Sequence, residues 1–164
     1  MKIISINAGS SSLKFSLFNM DNETVIASGL FERIGIDGSR YTINFNGEKV
    51  TQEIELPTHV DAVNILLDKL TDLNIISSLD EINGVGHRIV QGKDVFKESV
   101  LVNDDVMEKL EAIKGFAPLH NPANMLGIEA FRKVLPEVPM VAVFDTSFHQ
   151  TMDKSTYLYP VPYS

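Results

Sequence analysis

The 164-residue sequence contains no cysteine and no tryptophan. The first absence excludes a disulfide framework, a cysteine nucleophile and a cysteine-ligated zinc site. Cationic residues are also scarce, with 14 Lys and Arg against 22 Asp and Glu, a formal net charge of −8. Nonspecific nucleic-acid binding needs surplus positive charge to neutralise phosphates, so that class is set aside. A phosphorylated small molecule is compatible with this balance, because a few positive groups can act inside a cleft. No apolar run approaches the roughly 18 residues of a membrane span. Met1 to Ile6 is too short for the apolar core of a signal peptide, and Asn7 interrupts it. The Asn22-Glu23-Thr24 triplet matches a glycosylation acceptor by chance on this reading, which places the chain in the cytoplasm. What is present is a 44% apolar fraction, enough for a core and too much for wholesale disorder. A chain of this size can bury roughly two-thirds of its unfolded surface without a staple.

The first third reads as strands. Lys2 to Ile6 ends at the turn-forming Asn7-Ala8-Gly9-Ser10. Leu13 to Phe18 alternates with period two, and Thr24 to Phe31 follows a turn at Asn19 to Asn22. These three segments predict an antiparallel meander. Tyr41 to Phe45, Asn46-Gly47 and Val50 to Leu56 predict a further hairpin. After Pro57 the period changes: Val60, Val63, Leu66, Leu67 and Leu70 recur at helical spacing. Ile82 to Val90 returns to a strand. Val106, Leu110 and Ile113 mark a short helix capped by Asn103 or Asp104. Asn121-Pro122 predicts a helix start, with Asn at the N-cap and Pro at the first helical position, running to about Leu135. Val138 to Phe144 predicts a strand buried on both faces. The fold class is α/β with a mixed sheet. The aromatic, proline-rich tail from Tyr157 to Ser164 is unlike a polar fraying end, which suggests that the native chain continues or that the tail docks elsewhere.

Four segments carry candidate chemistry. Asn7-Ala8-Gly9-Ser10-Ser11-Ser12-Leu13-Lys14 offers a close-approach glycine, hydroxyls, backbone donors and a charge, which suits a phosphate. It lacks the second glycine, the Gly-Lys-Ser/Thr ending and the following helix of a Walker loop, and a ligand-free serine-rich hairpin turn is the competing reading. Arg88, in Gly86-His87-Arg88-Ile89-Val90-Gln91-Gly92, can hold a carboxylate or phosphate bidentately, or form a surface ion pair. His120, in Pro118-Leu119-His120-Asn121-Pro122, precedes a helix N-terminus, where anions are favoured; a helix-entry residue is the plainer alternative. Asp145, in Phe144-Asp145-Thr146-Ser147-Phe148-His149, stands at the C-terminal end of a strand. It can organise Mg²⁺, often through water, or cap the next segment. A Ser-His-Asp triad lacks its Gly-x-Ser-x-Gly elbow. His59, His87, His120 and His149 lack metal-type spacing.

Taken together and in this order, the four segments resemble the acetate kinase family: Asn-Ala-Gly-Ser-Ser-Ser-x-Lys, Gly-His-Arg-Ile-Val, His-Asn-Pro and Phe-Asp-Thr-Ser-Phe-His, across residues 7 to 149. The resemblance implies a ribonuclease H-like lobe of the actin-like ATPase superfamily over residues 1–150. N-terminal antiparallel strands and a β-hairpin insertion precede alternating helices and strands, and residues 151–164 begin a connection to a second lobe. It implies reversible, ATP-dependent phosphorylation of acetate to acetyl phosphate, with ADP as the other product. It further implies Mg²⁺ and a homodimer for the full enzyme, with no nucleic-acid or membrane partner. By resemblance, Asn7 and Asp145 organise Mg²⁺ and the phosphates. Ser10, Ser12 and Lys14 form a phosphate loop, and Arg88 holds the acetate carboxylate. Val90 and Leu119 contribute to the methyl pocket, and His120 stabilises the transition state.

Physical chemistry fits this assignment. Acetate is ionised at pH 7 and needs no general base, so catalysis is the positioning of two anionic reactants under positive charge. Asp145 accordingly serves the metal and is not a base. The sequence departs from the family at Gln91-Gly92-Lys93, where His-Gly-Gly is usual, and at Ser147, where Ala is common. Lys93 adds a charge near Arg88. Family members run to roughly 400 residues, so the isolated chain is expected to be an inactive fragment. A propionate or butyrate kinase is the nearest rival. A non-catalytic phosphate- or nucleotide-binding module is a rival from another class, and self-association through the tail and an unpaired face is a third possibility.

Overall fold

The computed structural model describes residues 1–148 and 150–162. His149 of the fourth motif and the last two tail residues, Tyr163 and Ser164, lie outside the described residues. The order of elements is β1 (Lys2–Gly9), β2 (Ser12–Asn19), β3 (Thr24–Glu32), β4 (Arg40–Phe45), β5 (Glu48–Glu53), α1 (His59–Asp72), β6 (Ile82–Ile89), β7 (Val100–Leu101), α2 (Asp104–Ile113), α3 (Asn121–Val134), β8 (Met140–Phe144) and α4 (Lys154–Tyr157). They build one eight-stranded mixed sheet in the order β5-β4-β3-β2-β1-β6-β8-β7. The predicted meander pairs antiparallel, Asn7 opposite Lys14 and Phe15 opposite Gly29. The predicted hairpin extends the same sheet, pairing β4 with β3 and β5 with β4. Its Asn46-Gly47 turn has φ of 49° and 78°, the left-handed pair that a two-residue hairpin turn needs. Parallel pairing begins where helices provide crossovers, β1 with β6 and β6 with β8.

Local chemistry explains the helices. Thr58 and Asp61 form a reciprocal capping box at the start of α1. Asn103 accepts the Val106 N–H at the start of α2. Helix α1 buries Ala62, Val63, Leu66, Leu67 and Leu70. Helix α3 buries Ala123, Met125, Ile128, Ala130 and Phe131. The α1 residues, with Ala130 and Phe131 of α3, meet Ile4, Ile6, Leu13, Phe15, Leu17 and Val85 from one side of the sheet. A second cluster joins α2 and α3 to Ile89, Ala142 and Phe144 on that same side. The helices therefore cover one face of the central strands and leave the other open.

That one-sided cover corrects the reading of Val138 to Phe144. The strand is β8, Met140–Phe144, and Val143 is 45% exposed because it faces the open side. A parallel central strand is buried on both faces only when helices lie on both. Asn121 is also reassigned: the N-cap of α3 is His120, whose side chain makes no capping hydrogen bond, and Asn121 is the first helical residue. The short edge strand β7 carries too little periodicity for sequence reasoning to find. Residues 151–162 of the tail are all exposed. No helix among the described residues is long and apolar enough to cross a membrane.

Candidate functional site

Alternation along the strands decides what the open face displays. In β1, Ile4, Ile6 and Ala8 point to the core, so Ser5 and Asn7 point away. In β2, Leu13, Phe15 and Leu17 are buried and Lys14 and Ser16 face outward. In β6, Val85, His87 and Ile89 are buried and Gly86 and Arg88 are outward. The outward residues line a cleft of about 410 Å³ that includes Ser5, Asn7, Lys14, Arg88 and Val143. Gly86 forms part of its floor, where an added Cβ would meet nothing within 4 Å. The cleft thus runs across β2, β1, β6 and β8, with the polar groups of Ser5, Asn7, Lys14 and Arg88 set among a largely apolar lining.

Arg88 is its centre. Its Nε donates to Asp145 Oδ1 and Oδ2, both at 3.0 Å, and its Nη2 donates to Oδ2 at 2.6 Å. Its Nη1 reaches Asn7 Oδ1 at 3.5 Å, at the outer limit for a hydrogen bond. The hydrogen bonds to Asp145 raise the Arg88 pKa, while partial burial opposes them weakly. The pair is half exposed, at 48% for Arg88 and 42% for Asp145. Asp145 keeps its place because the residues around it are fixed. Phe144 stacks on Phe96 at 4.5 Å between centroids. Thr146 Oγ1 accepts the Gly92 N–H, and Ser147 Oγ donates to the Phe144 carbonyl.

Asn7, Lys14, Arg88 and Asp145 are thus brought together by neighbouring strands. The other predicted site residues sit elsewhere. Ser10 belongs to the tight turn between β1 and β2 and lines a different cavity with His59 and Lys133. Ser12 opens β2, opposite Gly9. Val90 follows β6 and is half-buried. Leu119 is 82% exposed, and His120 is exposed beside it at the start of α3. Among the described residues, no hydrogen bond joins His120 to the Arg88 group. Lys93 directs its ammonium over the Phe116 ring, 4.3 Å from the centroid, and lies 3.9 Å from Asp94.

No group of three or more His, Cys, Asp or Glu among the described residues could hold a metal ion alone. The oxygens of Asn7 and Asp145 nonetheless converge on one guanidinium. An oxygen-only set of this kind suits Mg²⁺, which keeps several waters and binds through a carboxylate and substrate phosphates. Sequence reasoning missed two residues behind the cleft. His59 Nε2 bonds the Gly9 carbonyl at 2.8 Å, and Asn124 bonds both the Ala8 carbonyl and the Val90 N–H. The available signal was Asn124 itself, an amide that helical spacing places with Asn121, Ile128 and Phe131 on one buried face of α3.

The open mixed sheet, with its polar groups at the ends of parallel strands, is the architecture of an α/β ligand-binding lobe. Residues 2–164 match the model of the acetokinase family, and the chain belongs to that family. It is 58% identical over 162 residues to the acetate kinase of Bacillus subtilis (strain 168) and 57% identical to that of Bacillus anthracis. Each alignment covers 99% of the chain and 41% of the relative, so the chain spans about two-fifths of the length of these curated relatives. Among solved structures it resembles the Porphyromonas gingivalis acetate kinase, with a TM-score of 0.92 and 42% identity over 99% of this chain and 41% of that one. It also resembles a propionate kinase from Francisella tularensis subsp. tularensis SCHU S4, with a TM-score of 0.88 and 38% identity over the same shares. The α/β fold with a mixed sheet is the fold of these kinases.

Proposed function

We propose that residues 1–150 form the acid- and phosphate-binding lobe of an enzyme that transfers the γ-phosphoryl group of ATP to acetate. The observation that carries this reading is that Asn7, Lys14 and Arg88 line one open cleft, with Asp145 gripping Arg88. Acetate arrives ionised and needs no proton removed. The difficulty is to hold its carboxylate against an anionic phosphoryl group, and fixed positive charge meets it. Arg88 presents a planar fork whose orientation is set by Asp145. That carboxylate occupies the fork as an acetate carboxylate would. Lys14 adds a positive charge two strands from Arg88, opposite Asn7. Asp145 and Asn7 would hold Mg²⁺, which would neutralise phosphate charge when the nucleotide is bound. Ser10 and Ser12 would supply donors from the turn. His120 and Leu119, exposed at the start of α3, would complete the transition-state and methyl contacts with Val90. In this reading residues 151–164 begin the connection to a second lobe that supplies adenosine contacts, and the whole enzyme is a cytoplasmic homodimer.

The test is to join this chain to the C-terminal remainder of the Bacillus subtilis acetate kinase and measure acetyl phosphate as its hydroxamate. The joined enzyme should form it with acetate, ATP and Mg²⁺, and the 164-residue chain alone should not. Failure of a folded joined enzyme to turn over would leave a phosphate- or nucleotide-binding module as the better reading. The likeness to a propionate kinase favours one alternative substrate. A propionate kcat/KM above that for acetate would make the longer acid the substrate.

A further inference from the structure

Strands β1 and β6 pair in parallel from Lys2 with Ile82 to Ile6 with His87, and the ladder stops there. Asn7 and Arg88, the next residue on each strand, are the ones that meet in the cleft. Their spacing is therefore not set by a backbone pair of their own. Just beyond the end of the ladder, Asn124 takes over. Its Nδ2 donates to the Ala8 carbonyl at 2.7 Å and its Oδ1 accepts the Val90 N–H at 3.2 Å. A primary amide offers both a donor and an acceptor, so one side chain can stand in for a peptide group where the ladder ends. Asn124 is 4% exposed, which makes both bonds costly to lose.

The neighbouring contacts serve the same end. Asn121, wholly buried, accepts the Gln91 N–H at 3.1 Å and donates to the Gln91 carbonyl at 2.8 Å. One turn beyond Asn124, a Cβ on Gly127 would lie 2.7 Å from the Ala8 Cβ, so α3 presses directly on β1 there. From α1, His59 Nε2 lies 2.8 Å from the Gly9 carbonyl. A carbonyl can only accept, so that nitrogen carries the proton.

We infer that Asn124 is a positioning residue: it sets the gap between the phosphate-side strand end at Asn7 and the acid-side strand end at Arg88, while His59 holds the turn that follows. The inference rests on the phosphoryl-transfer reading above. Asn124→Asp separates the two bonds, because a carboxylate still accepts from Val90 but repels the Ala8 carbonyl. Asn124→Leu removes both. In the joined enzyme, Asn124→Asp should lower kcat about 100-fold while KM for acetate changes less than about threefold, as expected for a misplaced phosphoryl side with an intact acid side. The melting temperature of each variant is measured alongside. A kcat within about threefold of the parent, a parallel rise in acetate KM, or a loss explained by unfolded enzyme would overturn the assignment. Amide exchange on the 164-residue chain separates this inference from the functional reading. The Val90 amide should exchange at least about tenfold faster in Asn124→Leu than in Asn124→Asp. Equal exchange would overturn the clamp even if the joined parent enzyme proved inactive for another reason.

Discussion

His87 makes the fold acid-labile in a way that can be worked out in advance. The residue is 1% exposed, and neither ring nitrogen has a hydrogen-bond partner among the described residues. Its ring meets Phe131 edge-on at 5.4 Å between centroids. Burial pushes its pKa from 6.5 down to about 3. The folded state therefore keeps the ring neutral, and the unfolded chain binds a proton below pH 6.5. Stability from the neutral ring is complete above the unfolded value and is lost as pH falls from 6.5 toward the folded value. Each pH unit inside that window costs about 1.4 kcal/mol, so acidification to pH 5 costs about 2 kcal/mol. The assay is urea unfolding of the chain and of His87→Leu at pH 8 and pH 5, at constant ionic strength. Carboxylate titration is common to both proteins and cancels in the difference. The stability of His87→Leu relative to the parent should rise by about 2 kcal/mol between the two conditions. At pH 8 the substitution also removes an unpaired buried N–H, a relief of about 1–3 kcal/mol set against any loss of fit to Phe131. Parallel pH dependences for the two proteins would refute the reasoning, because they would mean that His87 is solvated or partnered in solution.

Other expectations follow from contacts described above. Asp145→Asn should change stability by no more than about 1 kcal/mol, because the Arg88 pair is half exposed. The same change should lower the acetate-dependent rate of the joined enzyme by about 100-fold or more, read against its melting temperature. Gly127→Ala should destabilise the chain by about 1–3 kcal/mol in urea unfolding, since the new methyl overlaps Ala8. Gly47→Ala places a Cβ at φ of 78° and should cost about 1 kcal/mol with no change in the joined enzyme's rate.

Much of the fold was legible because its periodicities are simple. The meander alternates cleanly, the Asn46-Gly47 turn declares itself, and α1 repeats its apolar residues at helical spacing. The failures have physical causes. Apolar content predicts burial of Val138 to Phe144 on both faces, but it does not report that helices cover only one side. Asn-Pro predicts Asn121 at the N-cap, but its amide is drawn instead to the Gln91 backbone. The motifs named the residues of the cleft, and pairing put Asn7, Lys14, Arg88 and Asp145 side by side. They could not show that Asp145 grips Arg88, nor that Asn124 and His59 hold the strand ends from behind. Those contacts join residues far apart in sequence, and no local pattern encodes them.

The central claim is that Arg88 is the carboxylate-binding group of a phosphoryl-transfer site. Arg88→Ala and Arg88→Lys in the joined enzyme test it most directly, by steady-state rates across a range of acetate concentrations. Arg88→Ala should lower kcat/KM for acetate by about 1,000-fold or more, and Lys should recover little of it because a point charge cannot replace the planar fork. Near-parental acetate kinetics in a folded Arg88→Ala enzyme would contradict it.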